Sequence, residues 1–326
     1  MVGYWFWQAR GRWVPRLWAG MAAAAGLAYF GWRWAFYGQL LPNTFYVKFG
    51  NLDAGYAWLE ETVAVFAPLL LLTAVLVFRR GTRAAGLLLL ATVAFTYGTY
   101  AVSGPTMDYV HRFAFHAFPV LCLGAGLGAA ALDRRWLKVS AAALTVAWTG
   151  LAGLLHTGLP VVANYGHDLH RAHVPIGEGL AAAEVPAESR TLAVSDAGAI
   201  PYFSGWETID YIGLNDEAIA HGADPTDVVR EANPTVIVVT AAGPRIPPVV
   251  YGMRVGEATA GYVHVAQARM RENYWQHVFA LPEWAPQVGT AVTTSVERAQ
   301  RTYDPGRYGL TFDRWLDRLR GQLPGT

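Results

Sequence analysis

Cysteine is nearly absent from this 326-residue chain, which holds only Cys122. One cysteine excludes an intrachain disulfide and a cysteine-based zinc cluster. Set in an apolar run, Cys122 reads as a small buried packing residue. Charge of one sign is equally scarce: the formal net charge is +1, with no block of like charge and no stripe of Lys and Arg. Nucleic acid is therefore set aside as a partner. The chain has no Gly-rich phosphate loop, no GxSxG nucleophile turn and no HExxH helix. No internal repeat stands out.

What is present is unevenly spread. Leu, Ala, Trp, Tyr and Phe crowd the first half, while polar residues, Asp, Glu and His gather in the second. The length suggests two domains, divided here at residues 1–160 and 161–326. Five apolar runs fill the first: Leu17–Tyr37, Val63–Phe78, Ala84–Val102, Phe113–Leu132 and Val139–Leu159. Most approach the ~20 residues that cross ~30 Å of hydrocarbon, so a membrane bundle of about five helices is expected. Arg10, Arg12 and Arg16 precede the first run, Arg79, Arg80 and Arg83 follow the second, and Arg134, Arg135 and Lys138 follow the fourth. The alternate loops carry only Lys48 and Arg112 as cations. This alternation predicts an inner membrane protein with a cytoplasmic N-terminus and an extracytoplasmic second domain. The first run is too long for a cleaved signal peptide. The aromatic cluster Tyr4-Trp5-Phe6-Trp7 reads as an interfacial belt or as the end of an earlier helix.

Between the first two runs lies Tyr37-Gly38-Gln39-Leu40-Leu41-Pro42-Asn43-Thr44-Phe45-Tyr46-Val47-Lys48. Pro42 has no N–H and disfavours helix at Leu41, so the first helix should stop here. A cation at membrane depth is costly unless it reaches the interface or binds an anion. Lys48 therefore either snorkels to water or meets a lipid phosphate. Arg33 poses the same choice, with a guanidinium fork that matches phosphate oxygens, and it shares a helical face with Tyr37. A second polar stretch, Gly104-Pro105-Thr106-Met107-Asp108-Tyr109-Val110-His111-Arg112-Phe113, places Asp108 and Arg112 at i,i+4 spacing. His111 and His116 read as interface residues, not metal ligands. His167, His170 and His173 drift around a helix rather than stacking, which favours a solvated face over a metal site.

After Pro160 the apolar runs shorten. Val161–Glu184 reads as a helix interrupted at Gly166-His167. Strands are expected at Thr191–Ser195, Thr208–Ile212, Thr235–Val239 and Tyr262–Ala266, with helices at Val228–Ala232 and Phe312–Leu319. Strand, helix and strand in that order predict a small α/β layer with partly parallel strands, whose carboxyl ends are where ligands bind. Asp196 sits at one such end. Asp196, Asp210 and Asp216 either contact a ligand or shape turns and cap helices.

Three stretches, YGxxLPNTFYxK, Gly104–Pro119 and SDAGAIPYFSGxxTIDYIGLNDEAIA, resemble motifs of bacterial multi-pass C-type glycosyltransferases. That superfold includes relatives of protein mannosyltransferases, aminoarabinose transferases and the mycobacterial terminal arabinofuranosyltransferase, all of which use a polyprenyl-phosphate sugar donor. The resemblance covers only the C-terminal half of a typical member. It implies a membrane all-α bundle followed by a small extracytoplasmic α/β domain. It also implies donor phosphate bound by Lys48, Arg33 and Arg112, and sugar contacts from Asn43, Tyr46, Asp196, Asp210 and Asp216. The family's acidic base lies in a segment without a counterpart here, leaving Asp53 and Asp108 as substitutes. No cofactor is implied and divalent metal is left open. The expected partners are membrane lipid, a polyprenyl-phosphate sugar and a second polypeptide supplying the missing half. The expected function is transfer, or help in transfer, of sugar to a cell-envelope acceptor. The alternative is a non-catalytic remnant or subunit, a membrane-anchored glycan-binding domain.

Overall fold

The computed structural model describes residues 13–39, 41–105, 108–156 and 158–302. The chain divides into two compact units: residues 1–106 with 111–149, and residues 107–110 with 150–326. The expected helix at Phe312–Leu319 lies outside the described residues.

The first unit is helical: α1 Trp13–Tyr37, α2 Asn43–Lys48, α3 Leu52–Phe78, α4 Arg83–Ser103, α5 Phe118–Ala130 and α6 Arg135–Leu155. Helix α1 ends at Tyr37, where Gly38 takes a positive φ of 72° and its N–H bonds the Trp34 carbonyl. Pro42, with no N–H to lose, sits at the start of α2. The core joins α3, α4 and α5 through Trp58, Phe66, Leu69, Val93, Tyr97 and Leu121. Glycines let these backbones meet. A Cβ on Gly55 would lie 1.7 Å from the Ala101 carbonyl oxygen, and one on Gly128 would lie 1.8 Å from that of Leu72. Small residues at helix crossings are how apolar helices pack where water does not drive them together.

Among the described residues two helices, α3 and α4, are long and apolar enough to cross a membrane, and a bent pair over Tyr109–His116 and Phe118–Ala130 makes a third if it counts as one span. The expected five spans are thus corrected to two or three. The run Phe113–Leu132 bends by 72° between short 3₁₀ turns and α5. Pro119 begins that helix, which is 13 residues long, roughly 20 Å and short of a bilayer core. Arg33 and four tryptophans dilute α1, and Arg135, Lys138 and several Ser, Thr and Gly residues dilute α6. Cys122 is exposed on α5 rather than buried. Apolarity does not separate the inner from the outer face of such a helix.

The second unit holds α7 Leu159–Leu169, α8 His173–Ala182, β1 Thr191–Val194, α9 Ala199–Ser204, β2 Glu207–Asp210, α10 Glu217–Ala220, α11 Pro225–Ala232, β3 Val236–Ala241, β4 Val249–Val250, β5 Met253–Arg254, α12 Val255–Ala258, β6 Val263–Arg271, β7 Tyr274–Ala280 and α13 Ala285–Thr302. The main sheet runs β2-β1-β3-β7-β6. Strands β1, β2 and β3 are parallel, β7 is antiparallel to β3, and β6 is antiparallel to β7. Side chains alternate as the two-residue period requires. Leu192, Val194, Val236 and Val238 face Ile176 and Leu180 of α8 and Val288 and Val292 of α13. Ala193, Ile237 and Val239 face Tyr211, Ile219, Val229 and Met253. The helix break falls at residues 170–172, not at Gly166-His167. His167 and His173 are buried, with Asp168 beside the first, so the solvated-face reading fails for those two histidines and holds for the exposed His170.

Candidate functional site

Chain order reverses at β1: β2 lies on one side and β3 on the other. Such a switch point leaves a crevice at the carboxyl ends of the strands. Ser195 and Asp196 follow β1 there, and Thr240 lies near the end of β3. The antiparallel partner β7 starts at the same end, pairing Gln276 with Thr240, and so brings Tyr274 and Gln276 into place.

Asp196 is the hub. Its Oδ2 accepts from His173 Nε2 at 2.8 Å, Gln276 Nε2 at 2.7 Å and Tyr274 Oη at 2.9 Å. Thr240 Oγ1 is 3.4 Å away and 2.7 Å from Ser195 Oγ. His173 and Gln276 are fully enclosed, whereas the Asp196 side chain keeps 24% of its surface open. Burial alone would raise its pKa, but the bonds from His173, Tyr274 and Gln276 outweigh it and hold the carboxyl below its ordinary range. Burial and the Asp196 charge push the Tyr274 phenol upward. The group is thus a fixed anion with one open edge: a strong acceptor for ligand hydroxyls and a poor proton base. His173 Nδ1 is buried with no hydrogen-bond partner among the described residues.

Beside it, Arg271 lies 5.9 Å from the centroid of the Tyr165 ring, 5.0 Å from that of Tyr274, and 4.0 Å from Asp168. Burial raises the Asp168 pKa, against the pull of Arg271.

The other aspartates of the motif are differently placed. Asp210, at the end of β2, is 2% exposed and accepts from Ile212 N, Asn215 N and Asn215 Nδ2 at 3.1, 3.0 and 3.0 Å. Its pKa is raised by burial, against those bonds. Asp216 caps α10 through Ile219 N at 3.0 Å. The Asp210 carboxylate is occupied by the turn that carries Gly213, and that of Asp216 by the first turn of α10. Asp210→Ala is expected to lower unfolding stability by about 2 kcal/mol, since it orphans two backbone donors. Urea titration of the purified chain measures this.

In the helical unit the residues of the two membrane-depth motifs lie on separate elements. Lys48 ends α2 half-buried, Asn43 accepts from Gln39 Nε2 at 2.7 Å, and Tyr46 is half-buried. Arg33 is half-buried, 5.9 Å from the centroid of the Tyr37 ring. Arg112 is exposed and 4.8 Å from that of Phe113. Asp53 is exposed in the first turn of α3, and Asp108 is half-buried. What the fold joins is the chain just after the first motif and the chain where the second begins. Gly50 N bonds Val102 O at 3.2 Å, and a Cβ on Gly104, whose φ is +64°, would stand 2.3 Å from Asn51 O. At the opposite ends of α3 and α4, Arg79 pairs with Asp133 at 3.0 Å, beside Arg80, Arg83, Arg134 and Arg135. His111 Nε2 lies 3.9 Å from Glu61 Oε1, a carboxylate neighbour that sequence spacing did not reveal.

Thr240, Tyr274 and Gln276 are not singled out by the sequence reading, which weighs His173 only as a metal ligand and sets it aside. The one available signal is the Glu272-Asn273 turn, where Asn273 takes φ 56° between β6 and β7, since Asn tolerates that region.

These features define a class: a helical unit with two or three apolar spans, followed by a mixed-sheet α/β unit with a polar cluster at its switch point. Residues 164–293 match the profile of a family described as a domain of unknown function (DUF8728). No curated protein and no solved structure matches the chain.

Proposed function

We propose that this protein is a glycosyltransferase-like membrane protein that transfers, or helps to transfer, a sugar from a polyprenyl-phosphate donor to a cell-envelope acceptor. The observation that carries the reading is the approach of Gly50 and Asn51, just after the first motif, to Val102 and Gly104, where the second motif begins, at one end of the helical unit. That end is poor in cations, and the opposite end carries the Arg79–Asp133 pair and its neighbouring arginines. By the charge rule the arginine-rich end is cytoplasmic, and the motif end and α/β unit are extracytoplasmic.

In an inverting transfer an acceptor hydroxyl attacks the anomeric carbon, and the bond from that carbon to the phosphate oxygen breaks. The phosphate leaves with the electron pair, and the hydroxyl proton passes to a carboxylate. Lys48, Arg33 and Arg112 are the cations available to stabilise the leaving phosphate. Asp53 and Asp108 are the carboxylates available to take the proton. Divalent metal stays open, and so does a second polypeptide that completes the site.

The test is transfer from a radiolabelled polyprenyl-phosphate sugar in membranes carrying this chain, beside Lys48→Ala. A fall of about a hundredfold or more in the variant is expected, on the scale of losing one preorganised group that stabilises transition-state charge. Transfer that Lys48→Ala leaves unchanged overturns the assignment. A second reading, glycan binding without transfer, is favoured by Asp196, which the cluster keeps ionised and therefore suits to accepting hydroxyls.

A further inference from the structure

The end of the helical unit away from the two motifs is built from two turns. Residues 79–82 join α3 to α4, and residues 131–134 join α5 to α6. Arg79 ties the turns together: its Nη1 and Nη2 donate to Asp133 Oδ1 and Oδ2 at 3.1 and 3.0 Å. Two more cations close helix ends. Arg83 Nε donates to Val77 O at 3.0 Å, and Lys138 Nζ donates to Ala130 O at 2.8 Å. Arg80, Arg134 and Arg135 are exposed, and among the described residues no carboxylate pairs with them. Six cations therefore stand around the single carboxylate of Asp133. Arg83 and Arg135 also open α4 and α6, where the helix dipole disfavours a cation and no acidic residue of the first turn offsets it. Charge gathered this way repels itself in the folded chain unless an anion from outside neutralises it.

We propose that these two turns form a headgroup site for anionic phospholipid, in which Arg80, Arg134 and Arg135 meet lipid phosphates of the leaflet at that end. The class of partner follows from place as well as charge. Helices α3 and α4 are long and apolar enough to cross a bilayer, so the turns at their ends lie where hydrocarbon gives way to headgroups. Phe78 and Trp136, beside the arginines, are exposed, and an indole suits that depth. All but one of the cations are arginine, whose guanidinium matches phosphate oxygens in a fork. Basic clusters of about four to eight Lys and Arg next to a span attract anionic lipid. Here the Arg79–Asp133 pair holds two such basic turns, far apart in sequence, as one surface. The site is distinct from the donor-phosphate cations proposed above, and it stands whether or not the chain transfers sugar.

The test is native mass spectrometry of the full chain, released from an uncharged detergent that carries equal amounts of phosphatidylglycerol and phosphatidylcholine with the same acyl chains. Phosphatidylglycerol should be retained about tenfold or more over phosphatidylcholine, since each exposed cation near headgroups is worth about fivefold. Arg80→Gln combined with Arg134→Gln should cut that preference roughly tenfold. Neither side chain makes a hydrogen bond or an ion pair among the described residues. The melting temperature of this variant in phosphatidylcholine should therefore match the parent's, which separates lost binding from lost fold. Removing the same charge from exposed positions of the α/β unit, as Arg230→Gln with Arg298→Gln, should leave the preference unchanged. The headgroup site is overturned if both lipids are retained equally, as they would be if the arginines served only to orient the spans. It is also overturned if the Arg80 and Arg134 variant keeps the parent's preference, or if the α/β variant loses as much. Displacement of phosphatidylglycerol by inorganic phosphate overturns it too, and assigns the arginines to a soluble anion.

Discussion

Gly128→Leu is expected to disrupt the helical unit, while Gly126→Leu, on the same helix, leaves it nearly unchanged. A Cβ on Gly128 would stand 1.8 Å from the Leu72 carbonyl oxygen, whereas one on Gly126 would meet nothing within 4 Å. Overpacking a core side chain costs about 1–3 kcal/mol when neighbouring side chains can move aside. Here the obstacle is the backbone of α3, so the whole of α5 must withdraw. That separation breaks the packing of Leu121 and Ala125 against Phe66 and Leu69. A loss at or above the upper end of that range is expected, and a midpoint lower by roughly 10 °C in detergent. Thermal unfolding of the two variants, followed by circular dichroism, measures the contrast. Equal midpoints would mean that α3 and α5 do not cross at Leu72.

Local chemistry made much of this fold legible. Pro42 marks the end of α1, and the short continuous apolar runs at Leu192–Val194 and Val236–Val239 identify buried strands. The parallel pairing of β1 with β2 and β3 follows from the intervening helices. Composition misled where aromatic content stood in for apolarity. Trp18, Trp32 and Trp34 make α1 look like a span, yet each carries an indole N–H, and Arg33 sits among them. It misled again at Phe113–Leu132, where the run opens on a 3₁₀ turn at Ala114–His116 and bends before α5. Within the site, Asp196 was visible because it directly follows an apolar strand. Its partners were not, since Gln276 is 80 residues away and joins it only through the Thr240–Gln276 register. The three histidines at every third position looked like one drifting helix face. A break at residues 170–172 puts His173 on a different helix from His167, and no residue in that stretch signals it as Gly or Pro would.

Asp196→Ala is expected to be the most damaging single change in the α/β unit, with an unfolding stability about 3 kcal/mol lower at pH 7. Removing the carboxylate leaves His173, Tyr274 and Gln276 without their shared acceptor, and two of these are fully enclosed. The open edge of Asp196 admits some water, which keeps the loss at the lower end of that for a broken buried pair. The same carboxylate gives the acid limb of stability a definite sign. Its folded-state pKa lies below the ordinary carboxyl value, so the unfolded chain takes up this proton first as the pH falls. The contribution is therefore complete above the unfolded value of about 4 and is lost as the pH drops through the folded value. Asp196→Asn, which cannot ionise, should show a shallower decline of stability in that window. Urea titrations at pH 7 and at pH 3–4 on parent and both variants measure the two effects together. Unfolding free energies within about 0.5 kcal/mol of the parent at pH 7 would place Asp196 outside the cluster. An unaltered acid limb in Asp196→Asn would assign that limb to other carboxylates.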